Sequence, residues 1–342
     1  MIAKTYADYA WEQAANLLAI DSPSGFTTQA AAFVKEAFES LGFSAYLTKK
    51  GGVLADLGGI DSENALLLAA HTDTLGAMVA EVKGNNRLRV TPLGGMSANN
   101  AEAENVKVYT RAGKVIEGTL QLCNASVHVN GDYSSAKRDW NTTEVVLDET
   151  EDAANLGIQV GDIVCFDPRT RRTESGYLKS RFLDDKLSVG ILLGFAKYVS
   201  DNHIALPRRT YVHVTVYEEV GHGGSASVPA GVTEAISVDM GCVGSGLACT
   251  ERQVSICCKD SGGPYSYDVV GKLIEAAKKT GADYAVDVYP YYGSDVEATL
   301  RAGADIRHGL IGPGVFASHG YERSHIEGVH NTLKVLCGYL NV

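Results

Sequence analysis

The spacing of apolar positions changes character twice along this chain. Over residues 11–20 and 28–41 they recur every three to four residues, which predicts two amphipathic helices, the second stopped at Gly42. Residues 44–47 and 53–57 read as strands around the Gly51-Gly52 turn. Residues 65–70 are apolar throughout, the pattern of a central strand covered on both faces, and His71 stands at its end. From about residue 76 the texture becomes short alternating segments, at 87–90, 106–109, 115–120, 144–147 and 163–166, separated by Gly, Asn and Asp. Helix–strand alternation resumes near Gly176. It predicts a buried helix at 187–199, strands at 210–217 and 235–239, and a helix at 266–280. A short helix at 296–302, a strand at 309–317 and a closing helix at 331–340 follow. The expected fold is α/β: a three-layer α/β/α domain built from residues 1–75 and 176–342, with a small β-barrel-like domain inserted at 76–175.

Composition narrows the function classes. With 30 basic against 41 acidic residues the formal net charge is -11, so the chain lacks the basic excess that neutralising nucleic-acid phosphates requires. No apolar run approaches the roughly 18 residues needed to cross a bilayer, and the first residues mix acids into the apolar positions rather than forming a secretory core. The 7 cysteines include no CxxC pair, and Cys257 and Cys258, adjacent in a strand-like run, point to opposite faces. Reduced thiols and a cytoplasmic setting are the expectation.

Five short stretches carry candidate chemistry, each at the predicted end of an element. His71 and Asp73 in HTD have the spacing of a metal ligand and its orienting acid. Asp184 and Asp185 open an apolar helix, where acids also serve as caps, and Glu218 and Glu219 end an apolar strand. Asp239 ends a short strand, and SHGYERSH supplies His319 and His325. Each pattern alone has an ordinary structural explanation. Together, at strand ends of one α/β domain, they form the inventory of a two-metal hydrolase, with a free Glu as proton shuttle. Mixed His and carboxylate donors suit Zn, Co or Mn better than Ca or Mg.

These stretches resemble the dinuclear-metal aminopeptidases of metallopeptidase family forty-two, the TET-type and glutamyl-aminopeptidase-like proteins of the MH clan. The likeness covers most of the chain: LLLAAHTDTLGAMV, LRVTPLGG, LGIQVGDIVCFDP, RFLDDKLSVGILL, VYEEVGHGGS, ISVDMG, YYGSDVEA and SHGYE, in order. The resemblance implies a metal-dependent exopeptidase holding two divalent ions per subunit, Zn or Co with Mn as a further choice. Its metal ligands are His71, Asp184 as the bridge, Glu219, Asp239 and His319; Asp73 orients His71, and Glu218 is the general base and acid acting on a metal-bridged hydroxide. Substrate contacts fall to Asp295, Glu322 and His222, with Glu322 either positioning a substrate amine or lying as a surface acid. The inserted domain is implied to drive dimerisation, and dimers to build homo-oligomers up to a tetrahedral dodecamer.

Two departures stand out. His222-Gly223 replaces the family's Leu-Arg after EEVG, and Ala317-Ser318-His319-Gly320 replaces Tyr-Ile-His-Ser. His325 competes for the terminal ligand position; His319 is preferred for its distance from the closing helix. Rival readings are a deacylase or dipeptidase acting on a small amide with the same site, and a non-catalytic assembly module, which the presence of Glu218 disfavours.

Overall fold

The computed structural model describes residues 2–342, and they divide into two compact units. One comprises the residues up to Asp73 and those from Arg169 onward; the other is Thr74–Pro168.

The first unit is organised by four adjacent parallel strands, in the order Arg208–Thr215, Asp61–His71, Val232–Val238 and Arg307–Phe316. Leu66, Leu67 and Leu68 are buried on both faces, as the unbroken apolar run requires. The register aligns Thr215 with His71, Ser237 with Ala69 and Val238 with Ile311, so the carboxyl ends of all four strands share one edge. Antiparallel strands widen the sheet on both sides: Val53–Asp56 and Ser44–Leu47 beyond one end, Glu322–His325, Tyr177–Ser180 and Arg171–Arg172 beyond the other.

The helix Leu183–Asp201 is buried on nearly every face. Its Gly190 and Gly194 lie against Ala10 and Ala14 of the helix Thr5–Leu18, where a Cβ on either glycine would collide with main chain or with an alanine methyl. That contact explains why glycine, a poor helix former, occupies the middle of a long helix. Lys186 is fully buried in the same helix. Its ammonium donates to the carbonyls of Leu17 at 3.0 Å and Ile20 at 2.6 Å, and so satisfies acceptors at the end of Thr5–Leu18.

The second unit is a closed antiparallel barrel of six strands: Gly76–Lys83, Arg87–Leu93, Thr143–Leu147, Val115–Leu122, Asn105–Tyr109 and Ile163–Phe166. Ile116, Leu120 and Leu122 alternate inward along one strand and Val106 and Val108 along its neighbour, which is the period-two pattern visible in the sequence.

The structure moves several boundaries. The second junction falls between Pro168 and Arg169 rather than at 175/176, because Arg171–Arg172 and Tyr177–Ser180 join the large sheet through Glu322–His325. The closing helix runs Ile326–Leu340, starting earlier than the expected residue 331, because His325 caps it: its ring accepts the Glu327 N–H. The structure adds the strands Gly76–Lys83, Tyr284–Val288 and Glu322–His325, and bounds the strand-like run around Cys257 and Cys258 as Val254–Lys259. All seven cysteines are free thiols. No helix among the described residues is long and apolar enough to cross a membrane.

Candidate metal centre

Each of the four parallel strands delivers a side chain to the shared edge. His71 ends Asp61–His71, Glu218 and Glu219 follow Arg208–Thr215, Asp239 follows Val232–Val238, and His319 follows Arg307–Phe316. Asp184, at the head of Leu183–Asp201, lies between the two histidines. Its Oδ1 is 3.2 Å from His71 Nε2 and its Oδ2 is 3.6 Å from His319 Nε2. Glu219 Oε2 is 3.7 Å from His319 Nε2, and Glu218 Oε2 is 3.7 Å from His71 Nε2. Donor atoms of a tetrahedral ion with bonds near 2.1 Å lie about 3.4 Å apart, so these spacings suit a shared cation. Two overlapping groups have ligand atoms within 4.8 Å of one another: His71 with Asp184 and Glu219, and His71 with Asp185 and Asp239.

The electrostatics point the same way. Asp184, Glu218, Glu219 and Asp239 have no lysine or arginine ion pair among the described residues. Glu219 Oε1 is buried without a hydrogen-bond partner. Burial, reinforced by Asp184, raises Glu219 well above the carboxyl range, and burial with Asp184 raises Asp239 to about 7. Glu218 is likewise raised by burial, with Asp239, Asp295 and Asp184 adding repulsion against the opposing pull of His71. Burial pulls Asp184 upward too, but the hydrogen bond and charge of His71 together with the charge of His319 outweigh it and hold this carboxyl low. A crowd of buried carboxylates around two imidazoles is costly alone and is relieved by divalent cations.

Asp73 stands against His71 through two of its groups. His71 Nδ1 is 2.9 Å from the Asp73 main-chain carbonyl and 3.6 Å from its carboxylate, so the carbonyl orients the ring. The carboxylate also accepts the Ser24 hydroxyl at 2.5 Å and the backbone N–H groups of Glu218 at 3.1 Å and Glu219 at 3.3 Å.

The expected substrate contacts are also redrawn. Glu322 is buried, and its two oxygens accept the N–H groups of His319 at 2.9 Å and Asp184 at 3.0 Å. It is neither a substrate contact nor a surface acid. Asp295 is buried behind the site, accepting the Thr215 hydroxyl at 2.5 Å and the Gly224 N–H at 2.6 Å, so it braces the loop after Glu219. His222 stacks on Tyr217 with centroids 4.9 Å apart and has Lys50 Nζ at 3.2 Å from Nδ1; it does not line the cleft. His325 is spent as a helix cap, with its other ring nitrogen 2.8 Å from the Ser175 carbonyl.

The candidate ligands open onto a cleft of about 460 Å³. Its remaining walls include Met240, Cys242, Tyr291 and Tyr292, none of which the sequence reading assigned. Only their proximity to Asp239 and to the YYGSD stretch marked them. Asp185 was also unassigned; it accepts the His71 backbone N–H at 3.3 Å.

A profile of the M42 glutamyl aminopeptidase family matches residues 51–335. The chain is 42% identical over 328 residues to YhfE of Bacillus subtilis strain 168, covering 95% of each protein. Its fold is similar to that of the TET aminopeptidase of the marine-sediment archaeon Thaumarchaeota archaeon SCGC AB-539-E09, with a TM-score of 0.88 at 19% identity over 98% of this chain and 96% of that one. It is similar as well to the Pyrococcus horikoshii TET1 peptidase, at a TM-score of 0.84 and 20% identity over 97% and 99% of the two chains. That peptidase can assemble into a tetrahedron or a large octahedral shell.

Proposed function

Because this chain belongs to the M42 glutamyl aminopeptidase family and is an aminopeptidase, we propose a division of labour among the residues of its cleft. His71, Asp184 and Asp239 would hold one divalent ion, and Asp184, Glu219 and His319 a second. The observation that carries this reading is Asp184, which turns one carboxylate oxygen toward each histidine. Ions of the Zn, Co or Mn class, when bound, supply Lewis-acid polarisation of a peptide carbonyl and acidification of water.

Glu218 opens onto the same cleft, and its backbone N–H is held by the Asp73 carboxylate. It takes the proton of the attacking water and returns it to the nitrogen of the departing peptide. The water oxygen becomes part of the new carboxylate, the C–N bond breaks, and the transferred proton completes the new amine. Asp73 fixes where Glu218 can reach, and Glu322 fixes the backbones that present Asp184 and His319. Water is consumed, and an amino acid and a shortened peptide leave.

The barrel Thr74–Pro168 serves self-association in this proposal, supported by the assembly of the similar TET1 peptidase. Seven free thiols support a reducing, cytoplasmic setting. The deciding experiment replaces Glu218 by Gln and measures metal content and turnover of an aminoacyl-amide together. The expected result is unchanged metal content with a rate lower by at least about 100-fold, the scale of a lost acid–base group. Retained activity in Glu218→Gln, or in protein shown by elemental analysis to be metal-free, contradicts the proposal.

A further inference from the structure

We propose that the residue this enzyme removes carries an uncharged, apolar side chain, selected by the wall of Met240, Cys242, Tyr291 and Tyr292. This rests on the aminopeptidase reading above and adds to it the chemical class of substrate.

The cleft has two kinds of lining. One part is the ligand set with Glu218, and the rest is soft and uncharged, with no lysine or arginine among its described residues. A glutamyl side chain would bring one more carboxylate beside Asp184, Glu218, Glu219 and Asp239 and meet no cationic side chain. The ions that Asp184, Glu219 and Asp239 would hold are committed in this reading to polarising the peptide carbonyl, and Glu218 to proton transfer. A lysyl side chain fares no better, because each acid in the lining is already assigned to a cation or to proton transfer. Either charge would leave water for a site that offers it no partner.

The uncharged wall is built to stay that way. The Tyr292 hydroxyl donates to the Met240 carbonyl at 3.0 Å. Tyr292 is anchored at both backbone groups: its N–H donates to Ser261 Oγ at 2.9 Å, and its carbonyl accepts the Ser261 N–H at 3.1 Å. A thioether, a thiol and two aromatic rings favour aliphatic or sulfur-containing side chains by contact and polarisability.

The test uses the metal-loaded enzyme and the p-nitroanilides of methionine, leucine, glutamate and lysine. The expected kcat/KM for methionine and leucine exceeds that for glutamate and lysine by at least about 100-fold, since a charge without a partner discriminates more strongly than a missing methylene. Free L-methionine should also inhibit competitively at lower concentration than free L-glutamate or L-lysine. Tyr291 is 94% exposed, so Tyr291→Arg places a cation on the wall without burdening the fold. That variant should raise the glutamate-to-leucine ratio of kcat/KM by at least about tenfold. A wild-type preference for glutamate or lysine overturns the proposal, and an unchanged ratio in Tyr291→Arg overturns the assignment of the wall. Cleavage of N-acetylated peptides with no turnover of the four free-amine substrates overturns the aminopeptidase reading instead.

Discussion

The carboxylate of Asp73 accepts the backbone N–H of Glu218 at 3.1 Å, and through the same oxygen pair it also holds Glu219 and the Ser24 hydroxyl. One acid two residues after His71 thereby sets both the proposed proton-transfer group and a proposed metal ligand that arrive from a neighbouring strand. Its backbone carbonyl separately sets the His71 ring.

Asp73→Asn removes one acceptor from this three-donor arrangement while leaving the carbonyl in place. The expected outcome is a fall in kcat of about 10- to 100-fold, the usual cost of losing a group that orients the reacting residues. Metal content, measured by elemental analysis on the same preparation, should stay within error of wild type. Loss of metal without further loss of rate would show that the carboxylate serves His71 instead.

Glu322 performs the parallel task on the other side of the cleft. Its carboxylate spans the N–H groups of Asp184 and His319, and His319 sits at a φ of 61°, in the left-handed region that a side chain tolerates poorly. Glu322→Gln keeps the length but offers one acceptor where two are needed. Metal content should drop toward one ion per chain, with activity falling in proportion. Full occupancy in Glu322→Gln would mean that the turn holds itself.

The two late histidines separate cleanly. His319→Ala should empty one metal position. His325→Ala should leave metal content unchanged and lower the unfolding free energy by about 1 kcal/mol, the cost of a lost helix cap. Metal stoichiometry and urea denaturation on both variants read these outcomes.

Much of the fold was legible because periodicity carries it. The apolar run before His71 and the alternation in Val115–Leu122 each stand out in the chain, and each becomes the element expected. Glu322 and Asp295 were not legible. Both are acids beside polar neighbours, and only the folded chain reveals that each carboxylate is buried and taken up by nearby donors, backbone N–H groups among them. Met240 and Tyr292 escaped for the opposite reason: apolar and aromatic residues look like core until a cleft opens beside them. Asp73 was placed correctly near His71, but its sequence position could not say which of its oxygens faces the ring.

Acid sensitivity has an identifiable contributor away from the metal centre. His213 is buried in Arg208–Thr215, and burial, aided by the charge of Lys50, lowers its pKa to about 4. Unfolded histidine titrates near 6.5, so between roughly pH 6.5 and 4 the unfolded chain binds a proton that the folded chain refuses. The stabilisation is complete above about pH 6.5 and is lost as pH falls through that window, by up to about 3 kcal/mol. In His213→Leu the decline of the urea midpoint over this range should be shallower. An equally steep decline would show that the ring takes up its proton without penalty.

The proposed ligands run from position 71 to position 319 and meet only where four parallel strands end side by side. No contiguous piece of the chain shorter than that span can assemble the cleft. A growing polypeptide therefore leaves the ribosome without peptidase activity until Arg307–Phe316 has been laid into the sheet and has delivered His319. An enzyme that cuts chain ends is thereby inert toward its own nascent form and its neighbours' until its folding is nearly complete.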